Sequence, residues 1–110
     1  MKKLASIAIS LLSLNAIGEV HNSEHTINEV QVRSGAYYAT EWSDGVTLLL
    51  TPSISVVGCN AERAYFNATT DSGMLAVALA AHAQGKTVNL LLNPSEAKDT
   101  ICKVELISIK

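Results

Sequence analysis

Apolar and polar residues alternate over several short stretches of the chain, with the two-residue period that is typical of β-strands. The first stretch begins at Ile27, and there Val30 and Val32 alternate with polar neighbours. Turn-forming residues separate the later stretches, and Ser43-Asp44-Gly45 predicts a hairpin between the segments on either side of it. The predicted strands are residues 27–33, 36–42, 46–51, 53–57, 63–69, 87–92 and 101–109.

One stretch carries the signals of a helix instead. Residues 71–84 are small and mostly apolar, and Asp71, or the threonine before it, can cap the N-terminus with a side-chain oxygen. Gly85 suits the left-handed position that follows a helix. Because Leu75 and Leu79 share one stripe at helical spacing, we expect Leu79 to lie in the core.

Two polar segments show no strand pattern. Residues 19–26 are predicted to form a flexible N-terminal arm, and residues 93–99, which begin with Asn-Pro, a loop before the last strand. The chain shows no internal repeat and no sign of a second domain. Residues 27–110 are therefore predicted to form a single β-rich domain.

Residues 1–18 have the three parts of a signal peptide. Lys2 and Lys3 precede an apolar run over residues 4–14, and Ala16-Ile17-Gly18 supplies a small-residue cleavage site. The apolar run is shorter than the roughly 20 residues that a membrane span needs. We expect cleavage before Glu19 and a secreted or periplasmic protein with no membrane span in the mature chain.

Two cysteines remain in that mature chain, Cys59 and Cys102. An even count in an oxidising compartment predicts a disulfide, which stabilises a domain by about 4 kcal/mol for a loop of this length. A pair of free buried thiols is the alternative. Two cysteines are too few for a closed zinc site, and no Cys-x-x-Cys is present to indicate redox catalysis.

Charge excludes one broad class of partner. Removal of Lys2 and Lys3 with the signal peptide leaves six basic and ten acidic residues. The basic residues are scattered along the chain, whereas a nucleic-acid surface needs a positive stripe. We therefore expect no nucleic-acid partner.

The order of strands, one helix and two further strands predicts a mainly β domain with one α-helix, built as a small, partly open antiparallel barrel and tied by one disulfide. Gly58-Cys59, the run AYFNATTDSGMLAVALAAHAQGKTVNLLL, Cys102 and the terminal VELISIK carry a resemblance within this order. They resemble small secreted bacterial proteins of uncharacterised function. They are also similar in spacing to the B subunits of subtilase- and pertussis-type AB toxins.

That resemblance implies an OB-like barrel, assembly into pentamers and binding of sialylated glycans. No motif of this chain matches the sugar-binding residues of the toxin subunits, so none is carried over. A second resemblance lies in Ser34-Gly35-Ala36-Tyr37-Tyr38, which matches the Ser-Gly-Ala-x-Tyr motif of periplasmic C-type lysozyme inhibitors. In that family the serine loop enters the lysozyme cleft, and Ser34 and Tyr38 are the matching positions. The inhibitors lack the alanine-rich helix.

The residues that could support catalysis have simpler explanations. The letters of a zinc motif, His-x-x-Glu-His, occur at residues 21–25, but no helical pattern surrounds them. His82 is expected at a helix end, and Glu41 and Asp44 flank a turn, where acidic residues are common. We predict no enzyme, no metal site and no cofactor.

The predicted function is that of a secreted, non-catalytic binding module, with a glycan-binding, toxin-B-like subunit as the first hypothesis. Its ligand-binding residues would be Tyr37, Tyr38, Trp42 and Asp44, and residues Met74 to Gln84 would form the contact between subunits of a homo-oligomer. An inhibitor of a cell-wall hydrolase is one alternative. An exported structural protein without a small-molecule site is the other.

Overall fold

A computed structural model describes residues 20–110, so the predicted signal peptide at residues 1–18 lies outside the described residues. Within that range no helix has the length and apolar character that crossing a membrane requires. A short 3₁₀ turn at Thr40–Trp42 precedes the second strand. The regular elements are β1 (His21–Val32), β2 (Gly45–Thr51), β3 (Arg63–Asn67), α1 (Ser72–Gln84), β4 (Thr87–Lys98) and β5 (Ile101–Ile109).

The five strands form one sheet that closes into a ring in the order β1-β2-β3-β5-β4. The long β1 pairs with β4 through its first half and with β2 through its second half. Antiparallel pairing holds at four of the five contacts, whereas β3 and β5 run parallel. The predicted fold class is confirmed: a mainly β, OB-like domain with one helix, placed between β3 and β4.

The core fills the inside of this ring. Alternate residues of β2 (Val46, Leu48 and Leu50) and of β4 (Val88, Leu90 and Leu92) point inward and are buried. Irregular register between Ile27 and Glu29 in β1, and between Leu91 and Leu92 in β4, marks bulges that bend these strands around the core. The remaining core side chains are Ile27, Ile54, Ala64, Phe66, Ala78, Ala81, Cys102, Val104 and Ile107.

The predicted disulfide between Cys59 and Cys102 is confirmed, with 5.2 Å between the two Cα atoms. It joins the segment before β3 to β5. Cys102 pairs in register with Ala64 of β3, so the bridge lies beside the parallel contact that closes the ring.

Helix α1 lies where the sequence predicts it, but a different face is buried. Ala78 and Ala81 are fully enclosed, whereas Leu79 is 47 % exposed, so the expectation that Leu79 belongs to the core is wrong. The helix packs against β1 and β5, and small side chains on its inner face allow a close approach. Gly85 takes the left-handed conformation expected of it, with φ of 64°.

The N-terminus of α1 also differs from expectation. Asp71 occupies the cap position, but its side chain makes no cap hydrogen bond. Its carboxylate instead accepts from the Asn67 amide at 3.4 Å and from the Thr70 hydroxyl at 3.3 Å. Asp71 therefore stabilises the turn that leads from β3 into the helix.

The predicted flexible arm is wrong for residues 21–26, because this segment is the first half of β1. It pairs with β4 from His21–Leu92 to Thr26–Thr87. His25 is buried, its Nδ1 donates to the Pro52 carbonyl at 2.7 Å, and its Nε2 bonds to the Ser23 hydroxyl. Polar residues form a strand here because the ring supplies β4 as a partner and these bonds satisfy the imidazole.

Three further segments depart from the sequence pattern. Residues 36–42 form turns and the 3₁₀ segment rather than a strand. Residues 53–57 form no strand either, and only Ile54 among them is buried. Residues 93–98 are the second half of β4, not a loop. They remain extended because β5 returns beside them, with Lys98 paired to Ile101 across a two-residue turn.

The packing of α1 gives a direct test. Ala78→Leu adds volume to a filled core and should lower the free energy of unfolding by about 1–3 kcal/mol. The matched change Ala76→Leu, on the exposed side of the same helix, should alter it by no more than about 0.5 kcal/mol. Urea denaturation measures both variants. Equal losses at the two positions would show that the buried face is wrongly placed.

Candidate functional site

A row of side chains crosses the outer surface of four neighbouring strands. In register, Gln31 of β1 lies beside Thr47 of β2, Thr47 beside Tyr65 of β3, and Tyr65 beside Lys103 of β5. Thr47 and Tyr65 point away from the core because their chain neighbours point into it. Even so, Thr47 is 1 % exposed and Tyr65 is 7 % exposed. Another part of the chain must therefore cover this outer surface.

The cover comes from the β1–β2 loop (residues 33–44) and the end of β4. The Trp42 ring meets the Tyr65 ring edge-on, with centroids 5.5 Å apart. Lys98 Nζ lies 5.6 Å from the Trp42 ring centroid and 5.3 Å from that of Tyr65, and it donates to the Glu41 carbonyl at 2.8 Å. Lys98 thus fastens the end of β4 to the loop.

Arg33 holds the other side of the loop. Its guanidinium carbon lies 5.4 Å from the Trp42 ring centroid and 5.6 Å from that of Tyr37, distances at which a cation and an aromatic face attract. Its Nη1 donates to the Thr47 hydroxyl at 2.7 Å. Arg33 therefore links two aromatic side chains of the loop to the sheet beneath them.

The turn at the base of the loop fixes Trp42 in position. A Cβ atom built on Gly45 would lie 2.7 Å from the Trp42 carbonyl oxygen, so no larger residue fits without displacement. Asp44 has a positive φ of 58°, donates its amide to the Ser34 carbonyl at 3.0 Å and accepts from the Ala68 amide at 2.7 Å. Its backbone closes the loop and attaches it to the end of β3.

Two clefts flank Trp42, which lines both of them. The arginine cleft, of about 430 Å³, lies toward β1 and the turn between β4 and β5. The mixed-charge cleft, of about 220 Å³, lies toward β3 and the end of β4. Besides Trp42, the lining of the arginine cleft includes Gln31, Arg33, Tyr37, Tyr38, Arg63 and Asp99. The lining of the mixed-charge cleft includes Glu41, Tyr65, Asp71, Glu96, Lys98 and Lys103.

Three of the four predicted ligand-binding residues come together here. Tyr37, Tyr38 and Trp42 line the arginine cleft, and Tyr38 is 89 % exposed. Asp44 is half-buried in the turn, with its carboxylate 3.2 Å from where a Gly35 Cβ would be. It therefore lies apart from the three aromatic residues, and the binding role of all four stays a prediction.

The sequence did not identify four further residues that line the two clefts: Arg33, Arg63, Tyr65 and Lys98. The two-residue period of β3 places Tyr65 outward, but nothing local indicates that it is covered. Burial raises the pKa of the Tyr65 hydroxyl, and the nearby Glu96 and Glu105 carboxylates raise it further. The hydroxyl consequently keeps its proton, which it donates to the Glu96 carbonyl at 2.5 Å.

The structure of residues 21–25 does not support a zinc site at the His-x-x-Glu-His sequence. The helix that such a motif needs is absent because residues 21–25 belong to β1. Across residues 20–110 no three histidine, cysteine or acidic side chains gather as a metal site. His82 is an exposed residue of α1 beside the buried Ala81; it donates its Nδ1 proton to the Ile27 carbonyl at 2.9 Å and so ties the helix to β1.

The close approach at Gly45 yields a second test. Gly45→Ala should lower the free energy of unfolding by about 1–3 kcal/mol, because the new methyl group meets the Trp42 backbone. Gly73→Ala is the control: the new Cβ in α1 meets nothing within 4 Å beyond its chain neighbours and the adjacent helix backbone, and the change should stabilise by up to about 1 kcal/mol. Thermal or urea unfolding distinguishes the two. A neutral Gly45→Ala variant would mean that the loop is not held against β2.

Comparisons of the chain with protein-family models, with curated proteins and with solved structures give no match. What the protein does must therefore be inferred from the contacts, burial and charge of its own residues.

Proposed function

We propose that the protein is an exported, non-catalytic carbohydrate-binding module whose site is the arginine cleft. One observation carries this proposal: the exposed Tyr38, the half-buried Tyr37 and Trp42, and two arginines line one cleft between the β1–β2 loop and the β4–β5 turn, over the outer face of β2 and β3. In OB folds this face and these two connections bind oligosaccharides and oligonucleotides. The acidic net charge of the chain disfavours the second class.

The lining of the cleft suits a sugar. One face of a sugar ring carries mainly C–H groups and packs against an aromatic side chain, while the hydroxyl groups need fixed hydrogen-bond partners. Tyr37 and Tyr38 supply aromatic surface, with ring centroids 4.6 Å apart. Gln31 and Arg33 supply donors, and Asp99 supplies an acceptor. A few polar groups beside an apolar floor form the common design of small-ligand sites.

The structure changes which aromatic residue should touch the sugar. Trp42 is one of the predicted ligand-binding residues, but it is half-buried, with Arg33 and Lys98 over its ring. Tyr38 is far more exposed and lies at the rim of the cleft. We therefore assign contact with the sugar to Tyr38 and positioning of the loop to Trp42.

Assembly into a ring, as in the toxin B subunits that the sequence resembles, belongs to the same proposal. The exposed side of α1 carries Leu79 between small residues such as Ala76 and Ala83, which supports its use as a contact between copies. Weak single-site binding of a sugar gains strength when several sites act together. Light scattering after size exclusion gives the number of subunits.

The proposal predicts the result of a glycan array probed with purified protein. Wild type should bind a set of glycans, and Tyr38→Ala should weaken that binding at least tenfold, equivalent to about 1.4 kcal/mol, because it removes the aromatic contact. Val57→Ala removes another highly exposed apolar side chain, away from the cleft, and should bind like wild type. If wild type captures no glycan, the carbohydrate-binding function is wrong.

A second candidate function is inhibition of a cell-wall hydrolase, and the shape of the β1–β2 loop favours it. Ser34, Gly35, Ala36 and Tyr38 are all exposed. The Tyr37 amide donates to the Ser34 carbonyl at 3.3 Å, which gives this segment a defined turn. Such a projecting, tied loop has the form that enters an enzyme cleft in the lysozyme inhibitors that the motif resembles.

This second function predicts that the protein slows a C-type lysozyme acting on cell walls, and that Ser34→Ala and Tyr38→Ala relieve the inhibition at least tenfold. Val57→Ala again serves as the control. Full lysozyme activity in a hundredfold molar excess of wild type would eliminate the inhibitor function. The glycan array and the lysozyme assay therefore separate the two candidates.

A further inference from the structure

We infer that the exported chain carries a copper(II) site at its N-terminus, formed by the first three residues that remain once the signal peptide is removed. Cleavage before Glu19 leaves Glu19-Val20-His21 at the start of the chain. The ligands are the amine of Glu19, the main-chain nitrogens of Val20 and His21, and the imidazole Nδ1 of His21. This inference rests on the proposed export and on that cleavage position, and it is independent of carbohydrate binding.

The third place of His21 in the cleaved chain decides the coordination geometry. A histidine in this place lets one short segment wrap around a metal ion, because the amine, the two peptide nitrogens and the imidazole follow one another at chelating distances. These nitrogens can lie in one plane, which is the arrangement that Cu(II) prefers. Copper is also the divalent ion that nitrogen sites of this kind bind most tightly.

A site of this kind differs from the metal sites that side-chain patterns reveal. The sequence predicts no metal site from its cysteines or from the His-x-x-Glu-His letters, and within residues 20–110 no cluster of side-chain ligands occurs. The N-terminal site needs no cluster, because one imidazole is its only side-chain ligand. Its other ligands belong to the main chain and to the terminal amine.

The structure leaves His21 as the histidine that can accept a metal. His25 is buried, with both nitrogens of its ring already bonded. His82 uses its Nδ1 to bond the Ile27 carbonyl. The His21 side chain is half-buried, and it takes part in none of the side-chain hydrogen bonds that residues 20–110 make among themselves.

His21 also lies where its main chain can be released from the sheet. It is the first residue of β1, and its pairing with Leu92 is the last rung of the β1–β4 ladder. Val20 precedes the strand and is 46 % exposed. Copper replaces the amide protons of these two residues, so at most that terminal rung is lost, while the pairs from Asn22 to Thr26 remain. Metal binding therefore does not require β1 to unfold.

Binding exchanges protons for the metal ion. The ammonium group of Glu19 and the amides of Val20 and His21 each release a proton, whereas the imidazole binds in its neutral form with its proton on Nε2. Copper keeps its oxidation state, so the step needs no oxidant or reductant. Affinity should consequently rise with pH, and acid should release the metal by protonating the same nitrogens.

The test uses the full chain with its own signal peptide, expressed in a bacterium and purified from the exported fraction. N-terminal sequencing should give Glu-Val-His. One equivalent of copper(II) chloride, added in the presence of excess glycine as a weak competitor, should then produce the visible absorption and electron paramagnetic resonance spectra of copper with planar nitrogen ligands. A different first residue, or no such spectra at one equivalent, means that the inference is wrong.

Two variants remove the site in different ways. His21→Ala deletes the imidazole, whereas one alanine inserted between Glu19 and Val20 keeps every side chain and moves the histidine to fourth place. Each should weaken copper binding by roughly a hundredfold or more, because the ligands no longer act as one chelate. His82→Gln is the control and should bind copper like wild type.

The insertion variant decides the outcome even if His21→Ala fails to fold. Unchanged copper affinity in this variant would assign the metal to side chains and overturn the inference. The glycan array remains a separate test, because no residue of the copper site lines the arginine cleft. Loss of copper binding with intact glycan capture is expected of the insertion variant, so the two functions can fail independently.

Discussion

The contact between β3 and β5 consists of two residue pairs, Ala64 with Cys102 and Tyr65 with Lys103. Every other pair of neighbouring strands in the ring shares a longer ladder. Closure of the sheet therefore depends on its shortest contact, and the disulfide to Cys59 anchors that contact covalently. Because closure brings Tyr65 and Lys103 side by side, it also builds one edge of the candidate site.

The site is a second, smaller packed cluster on the outside of the sheet. Thr47 and Tyr65 face away from the core but are buried from solvent, because other side chains lie over them: Trp42, Arg33 and Lys98. These contacts join three parts of the chain that are distant in sequence: the β1–β2 loop, the middle of the sheet and the end of β4. A cleft built on such a cluster has its shape before any ligand arrives, which reduces the ordering cost of binding.

Local signals were sufficient where an element depends mainly on its own residues. The small-residue run, the glycine that follows it and the alternation in β2 and β5 placed α1 and these strands within a few residues. The first half of β1 and the second half of β4 could not be predicted, because polar residues become strands there only through their partners. For example, folding brings the Pro52 carbonyl, 27 residues away in the chain, to the imidazole of the buried His25.

The residues of the candidate site were likewise predictable where the signal is local and unpredictable where the contact is between distant parts of the chain. The sequence identified three aromatic residues of the site, Tyr37, Tyr38 and Trp42, by their position near a turn. It also identified Asp44 as a turn residue. Lys98 could not be found from sequence, since its contact with the Glu41 carbonyl spans most of the domain. The buried face of α1 was misassigned because leucine is the more apolar residue, whereas the fully buried positions of the helix are Ala78 and Ala81.

Trp42 is the only tryptophan of the chain, and it lies at the boundary of both clefts between two cations. The light that an indole emits depends on the charges and the water around its ring. We therefore expect a molecule that enters either cleft, or that shifts Arg33 or Lys98, to change the emission of Trp42. The fold thus carries a built-in optical reporter of occupancy, which needs no label and no knowledge of the ligand in advance.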